Sequence, residues 1–409
     1  MKQKGIALHW QILIALILAV LIGMFFPEST SYLKWLGVIF IRALKMIVVP
    51  LVVSSLITGV TNIGKGKQIG RIGLKTLAYY LSTSLIAILI GLVLVNWSKP
   101  GVGAEFLRNV DPETVDIVRK PISETLVEII PTNIFQSLMQ GDMLPIIFFS
   151  ILFGIFINSV DNSKSTLLKN IFQSVFDVMM KITLFVLKFA PLGILGIVSE
   201  IVAQQSSNFA QLGDMAFKLL HFMLIVIIGL VVHFMVILPL ILWLVGKVNP
   251  LEHYQAMLTP ILTAFSTASS NGTLPITLET VEHKSGVSNK VASFTLPLGA
   301  TINMDGTALY ELVVAGFIAQ IYGIELSYGA QFIMVATALL ASIGTAAVPM
   351  ASLVTMTIIF EAIGLPLEAI AIILPVDRIL DHCRTTVNVV SDTCCATVIA
   401  KSEGEKINY

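Results

Sequence analysis

Apolar residues along this chain gather into runs as long as a bilayer core is thick, with polar residues concentrated at the joints. The runs span 7–26, 35–61, 76–97, 143–158, 170–203 and 216–246. About 20 apolar residues cross the hydrocarbon core as a helix, so each run predicts a transmembrane helix. The first is too long for a signal-peptide core and has no small-residue cleavage site after it, which predicts a retained span. Residues 98–131 are the most polar stretch, with Pro100, Gly101, Gly103, Pro112, Pro121 and Pro131, and predict a long external loop. Beyond Pro250 the pattern changes. The runs 256–276, 291–321, 330–364 and 366–400 are apolar but broken by Ser, Thr, Gly, Asn and Pro. Irregular backbone at membrane depth persists only where it is buried in protein or lines a cavity, so a transported substance is expected to bind in this last part.

Composition settles the solvent. Of 409 residues, 56% are hydrophobic and 12% charged, about half the charge of an ordinary soluble protein, and the mean hydropathy is +0.89. Soluble enzymes, nucleic-acid binders and disordered chains are excluded. Net charge is zero, so no polyanionic partner is implied. Cys383, Cys394 and Cys395 form neither a disulfide framework nor a spaced zinc pattern.

Basic residues give the orientation. Lys2 and Lys4, then Lys65, Lys67, Arg71 and Lys75, then Lys164, Lys169, Lys247, Lys284, Lys290, Lys401 and Lys406 mark connections on one side, while 204–213 and 322–330 carry neither Lys nor Arg. The positive-inside rule places the first group and both termini in the cytoplasm. An even number of crossings follows: six clean spans and two from the last third. The stretches left over, about 251–283 and 330–364, are then re-entrant hairpins entering from opposite sides. Their tips read Ser266-Thr267-Ala268-Ser269-Ser270-Asn271-Gly272-Thr273-Leu274-Pro275 and Ser342-Ile343-Gly344-Thr345-Ala346-Ala347-Val348-Pro349. Paired interrupted segments are the mark of an inverted-repeat secondary transporter with a midplane site.

In the last run Asp377, Asp381, Arg384, Asn388 and Asp392 recur at helical spacing and share one face, with Thr385 beside it. Ionisable groups inside a span are costly, so this stripe is expected to face a wetted, protein-lined site. Arg384 can grip a carboxylate with two parallel hydrogen bonds. Asp381, one turn earlier, can hold an ammonium. Together they suit an amino acid with an acidic side chain, its α-carboxylate met by donors near Ser270 and Thr345 at the hairpin tips. The segment Gly299-Ala300-Thr301-Ile302-Asn303-Met304-Asp305-Gly306-Thr307 predicts local unwinding within a span. Freed carbonyls with the Asp305 and Asp392 carboxylates offer hard oxygen ligands to a cation such as sodium. Glu311 follows in an apolar run, where a proton is the cheapest way to neutralise it.

At these residues the chain resembles the dicarboxylate/amino acid:cation symporter family, the glutamate and aspartate transporters. The resemblance covers nearly the whole chain and is densest over 255–405. It is carried by Ser269-Ser270 with Gly272-Thr273-Leu274-Pro275, by Asn303-Met304-Asp305-Gly306-Thr307, by Ala341-Ser342-Ile343-Gly344-Thr345, and by Asp381 through Asp392. It implies an all-α membrane protein of eight transmembrane helices and two re-entrant hairpins, with inverted repeats, a homotrimeric assembly and an elevator movement. Residues 1–75 and 132–203 correspond to scaffold helices 1–2 and 4–5, 98–131 to the external loop. Residues 76–97 and 204–409 correspond to the transport domain. The resemblance assigns the substrate side-chain carboxylate to Arg384 and the amine to Asp381, with further contacts at Thr307, Thr385 and Asn388 and main-chain contacts at Ser270 and Val348. It assigns one sodium to Gly299, Asn303, Asn388 and Asp392, and a second to Tyr80, Thr83, Ser84, Asn303 and Asp305. A third falls to carbonyls of Thr301, Ser342, Ile343 and Thr345. Proton-coupled glutamate transporters have Glu at the position of Glu311, so a proton carrier is implied there. No cofactor beyond these ions is implied, and the location is the cell (inner) membrane.

Two features depart from the family pattern. Many relatives carry a second arginine at the position of Ala268 or of His382. Some are Gly-rich where this chain has Ala347, Met350 and Ser352. Proton-only coupling and an anion channel are the competing readings. An intramembrane enzyme would need a nucleophile with a base, and the six histidines show no paired helical spacing.

Overall fold

The computed structural model describes residues 8–61, 67–104, 127, 129–205, 209–344 and 352–409. Of these residues 86% are helical, with no strand among them. Helices α1 (Leu8–Phe25) and α2 (Lys34–Thr61) follow the first two runs. Helix α3 (Lys67–Ser98) begins earlier than its apolar run, because Lys, Gln and Arg continue a helix readily. After α4 (Ile134–Gln140) and α5 (Met143–Ile157), the run at 170–203 forms two helices and not one. Helix α6 (Asn162–Leu187) and α7 (Ala190–Gln205) part at Lys188-Phe189. Pro191 has no N–H to give to the Leu187 carbonyl, so the ladder stops there.

Helix α8 (Phe209–Val232) runs on through a π turn at His233–Ile237, a helical turn at Leu238–Ile241 and a second π turn at Leu242–Gly246. Pro239 removes the donor for the Met235 carbonyl and its ring crowds it, which accounts for the widened first turn. α9 (Pro250–Ala256) and α10 (Leu258–Thr267) lead to a tight turn at Ala268-Ser269, then α11 (Ser270–Thr280) runs back against α10. Ala268 adopts φ +50°, and the Ser269 hydroxyl caps α11 by accepting from the Gly272 N–H at 3.1 Å. α12 (Asn289–Ile302) and α13 (Asp305–Ile321) are separated by two non-helical residues, Asn303 at φ −94°, ψ 88° and Met304 at φ −115°, ψ 49°. The expected unwinding lies there. α14 (Tyr328–Gly344) and α15 (Ser352–Ile363) pack on each other. Their connection, with most of the second hairpin tip, lies outside the described residues. α16 (Ile370–Ser402) is the longest helix among those described.

Packing divides the helices. α1 lies on α7, and α2 is flanked by α5, α6 and α7. In the other group α13 packs along α3, and α16 touches α3, α8, α10, α11, α12 and α13. α14 and α15 reach across to α2. α13 is buried along its whole length apart from Gln320. By contrast α8 and the π turn that continues it expose Phe217, Leu220, Leu224, Ile228, Val231 and Met235. Those positions recur every three or four residues, one continuous apolar stripe, and such a stripe is stable only against apolar surroundings. Among the described residues five helical stretches are long and apolar enough to cross a membrane: Pro27–Thr61, Arg71–Ser98, Asn162–Leu187, Gly213–Gly246 and Asn289–Ile321. The charged residues along α16 keep it off that count although it is 33 residues long.

Candidate functional site

The break at Asn303-Met304 brings the start of α13 against the polar stripe of α16. Gly306 permits the approach: a Cβ there would lie 2.7 Å from the Arg384 carbonyl oxygen. The Gly306 N–H, left without an intrahelical partner at a helix start, donates to Asn388 Oδ1 at 2.8 Å. The Asn388 amide nitrogen donates to Thr307 Oγ1 and to Met304 Sδ, each at 3.2 Å. Asn388 is therefore a strut that holds the unwound segment open.

Arg384 is 1% exposed. Its Nη2 lies 3.0 Å from Asp381 Oδ1 and 3.1 Å from Asp377 Oδ1. The Tyr310 hydroxyl donates to that same Asp377 oxygen at 2.7 Å. The guanidinium sits over the Tyr310 ring, with Cζ 3.9 Å from the ring centroid. Among the described residues Arg384 Nε and Nη1 have no partner. A buried guanidinium with two idle donors is poised for an anion. Thr385 and Thr307 are buried nearby on α16 and α13, and Ser270 is buried at the first hairpin tip, whose arms pack on α16. Val348 lies outside the described residues.

A second polar cluster lies about Asp305. Its Oδ1 accepts from Ser84 Oγ at 2.6 Å and from Thr83 Oγ1 at 3.3 Å. Its Oδ2 accepts from Ser391 Oγ at 2.7 Å and faces His233 Nε2 at 3.1 Å. Asp305 and His233 are fully buried. Facing a carboxylate, His233 carries its proton on Nε2. Close by, Asn303 Nδ2 donates to Asp392 Oδ1 at 2.8 Å, while buried Asn303 Oδ1 has no partner among the described residues. A Cβ at Gly299 would collide with Asp392 Oδ1 and the Tyr80 hydroxyl, so only glycine leaves that space open. Tyr80 donates to the Thr295 carbonyl at 2.9 Å. Hydroxyls that now donate to Asp305 can turn lone pairs to a cation, and the helix break frees carbonyls of the last α12 turn, Thr301 among them. An orphaned amide oxygen, two carboxylates, hydroxyls and carbonyls form a hard-oxygen set, which fits sodium. Ser342 is buried in α14. Ile343 continues that helix, and Thr345 lies outside the described residues.

Glu311, two turns beyond Asp305, is fully buried and accepts a hydrogen bond from the Thr355 hydroxyl of α15. Its Oε2 has no partner among the described residues.

Sequence reasoning passed over His233, Ser391, Tyr310, Thr355 and Arg378 as site residues. His233 carried one usable signal, a histidine next to a proline-widened turn in an apolar helix. Arg378 stands one position off the stripe and reaches Asp381 all the same, Nη1 to Oδ2 at 3.1 Å.

Comparison with known proteins supplies the context for this geometry. The family model described as the sodium:dicarboxylate symporter family matches residues 8–402. The chain is 37% identical to the proton/glutamate-aspartate symporter of Escherichia coli (strain K12), covering 98% of this chain and 94% of the relative. It is 36% identical to the proton/sodium-glutamate symport protein of Geobacillus stearothermophilus, with 98% and 96% covered. Excitatory amino acid transporter 3 of Oryctolagus cuniculus is 33% identical, with 96% and 85% covered.

Proposed function

Because the chain belongs to the sodium:dicarboxylate symporter family, we propose that it is a secondary active symporter that takes up glutamate or aspartate with sodium and a proton. It is a transporter and not an enzyme. The observation that carries the reading is Arg384: a fully buried guanidinium, fixed on one side by Asp377, Asp381 and Tyr310, with Nε and Nη1 idle among the described residues. These idle donors leave the guanidinium able to take the side-chain carboxylate of the substrate. Asp381 takes the ammonium, Thr307, Thr385 and Asn388 line the seat, and backbone groups at Ser270 and Val348 meet the α-carboxylate. Sodium occupies the hard-oxygen sets about Asp392 with Asn303, Gly299 and Asn388, and about Asp305 with Thr83, Ser84, Tyr80 and Asn303. A third is held by carbonyls of Thr301, Ser342, Ile343 and Thr345. Glu311 carries the proton.

The same reading includes eight spans, two re-entrant hairpins, both termini in the cytoplasm of a cell with the protein in its inner membrane, a homotrimer and an elevator movement. Arm length supports the hairpins. α10 has 10 residues and α11 has 11, so each extends about 15 Å at 1.5 Å per residue, half of a hydrocarbon core of about 30 Å. The test is uptake of labelled glutamate, aspartate and a neutral amino acid into proteoliposomes across a sodium series. Arg384→Thr is expected to abolish uptake of both acidic substrates and to admit neutral ones, since Asp381 still holds the amine. Unchanged glutamate uptake by that variant refutes the assignment, and a flat sodium response in the parent leaves a proton-only symporter.

A further inference from the structure

We propose that Arg378 occupies the ammonium seat of Asp381 when no substrate is bound, and so sets the preference for amine-bearing acids over plain dicarboxylates. The proposal rests on the reading of Asp381 as the amine-binding group. Each oxygen of that carboxylate is held by a guanidinium: Oδ1 by Arg384 Nη2 at 3.0 Å, Oδ2 by Arg378 Nη1 at 3.1 Å. An incoming ammonium therefore meets a seat already filled by a cation.

The two arginines are not equivalent. Arg384 is sealed at 1% exposure, tied to Asp377 as well, and stacked on Tyr310. Arg378 keeps 18% of its side chain exposed. Its Nε has no partner among the described residues, so its guanidinium is gripped at one end. Arg378 is the arginine that can leave. It precedes Asp381 by three residues on α16, one turn away, and needs only a change of its long side chain to swing toward the wetter rim. Two arginines and two aspartates balance each other in the cluster. Exchange of Arg378 for a substrate ammonium on Oδ2 preserves that balance at the buried carboxylate. The chain has no arginine at position 268 or 382, and Arg378 supplies the second cation from a third position.

Loss of Arg378 acts in opposite directions on two ligands. For glutamate it removes a competitor. A dicarboxylate without an amine cannot replace the cation, so it meets a bare Asp381 and is repelled. With a partly exposed pair worth up to about 1 kcal/mol, each ligand shifts by up to about fivefold.

The experiment is titration of the purified full-length protein at saturating sodium with L-glutamate and with glutarate, in the parent, Arg378→Gln, Arg378→Met and Arg378→Lys. Both neutral variants are expected to raise the glutamate-to-glutarate affinity ratio several-fold, and Lys to bring it back toward the parent value. A ratio that stays constant, or both ligands moving together, overturns the proposal. So does failure of both neutral variants to fold while Lys folds, because Arg378 is then a structural cation. A parent that binds glutarate but not glutamate overturns the functional reading itself, independently of Arg378.

Discussion

Glu311 shows what a single residue decides here. It has no exposed surface, and its one hydrogen bond among the described residues comes from Thr355. A carboxylate so enclosed is most cheaply neutralised by a proton, and the residue stands on the helix that also carries Asp305 and Tyr310. An inward proton gradient is expected to drive uptake by the parent, and Glu311→Gln to lose that response while still binding substrate. Uptake measured with sodium and pH gradients imposed separately checks it; an equal response by the Gln variant refutes the role. Glu311 was legible in the sequence because a charged residue in an apolar run is a local anomaly. Thr355, its partner, was not, since a threonine in a hairpin arm is ordinary until the fold brings it 44 positions back along the chain.

At the scale of elements, the C-terminal end of α16 is bound into its neighbours by the segment after it. Glu403 is hydrogen-bonded by Lys75 at 2.7 Å and by Arg71, both on α3. Glu405 accepts from the Ser288 N–H at 2.8 Å and from its hydroxyl at 2.6 Å, at the start of α12. The Tyr409 hydroxyl joins His253 Nδ1 at 2.7 Å and Ser285 Oγ at 2.6 Å, the two feet of the first hairpin. Hydrogen bonds from Lys75 and Arg71 hold the Glu403 carboxyl below its ordinary value. A depressed folded-state pKa gives stability that is present above the unfolded value of about 4.3 and lost as pH falls through the folded one. The parent is expected to melt above Glu403→Gln at neutral pH, and the gap to close as pH falls from neutral to below the unfolded value of about 4.3. Thermal unfolding of both proteins across that range in detergent checks it; a gap independent of pH refutes the contribution. The span lengths behind these elements were readable from hydropathy. The division of 170–203 at Pro191 and the early start of α3 were not, because hydropathy averages over the single proline and over helix-forming charged residues.

For the whole molecule, the two packing groups are joined where α14, α15 and the start of α16 meet the α2 side. Among the described residues one ion pair spans that junction, Lys45 Nζ on α2 to Glu368 Oε1 just before α16 at 3.0 Å. An elevator movement of one group past the other must break it. With Cys383, Cys394 and Cys395 replaced by Ser, a disulfide between Lys45→Cys and Glu368→Cys is expected to stop uptake, and reduction to restore it. Uptake that persists in fully cross-linked protein refutes a movement at this junction.

The all-helical membrane class, the helix break at Asn303-Met304, the first hairpin tip and the polar face of α16 follow from the sequence alone. Each depends on quantities local to a few turns of chain: apolar run length, 3.6-residue periodicity, and residues that disfavour helix. The tertiary structure decides what those polar groups meet. It places His233, 72 positions away, against Asp305, stacks Tyr310 under Arg384, and divides Asp381 between two arginines. A buried charge must find an opposite charge or a donor, but which one it finds depends on how separate helices pack, and that information is not local to any stretch of the chain.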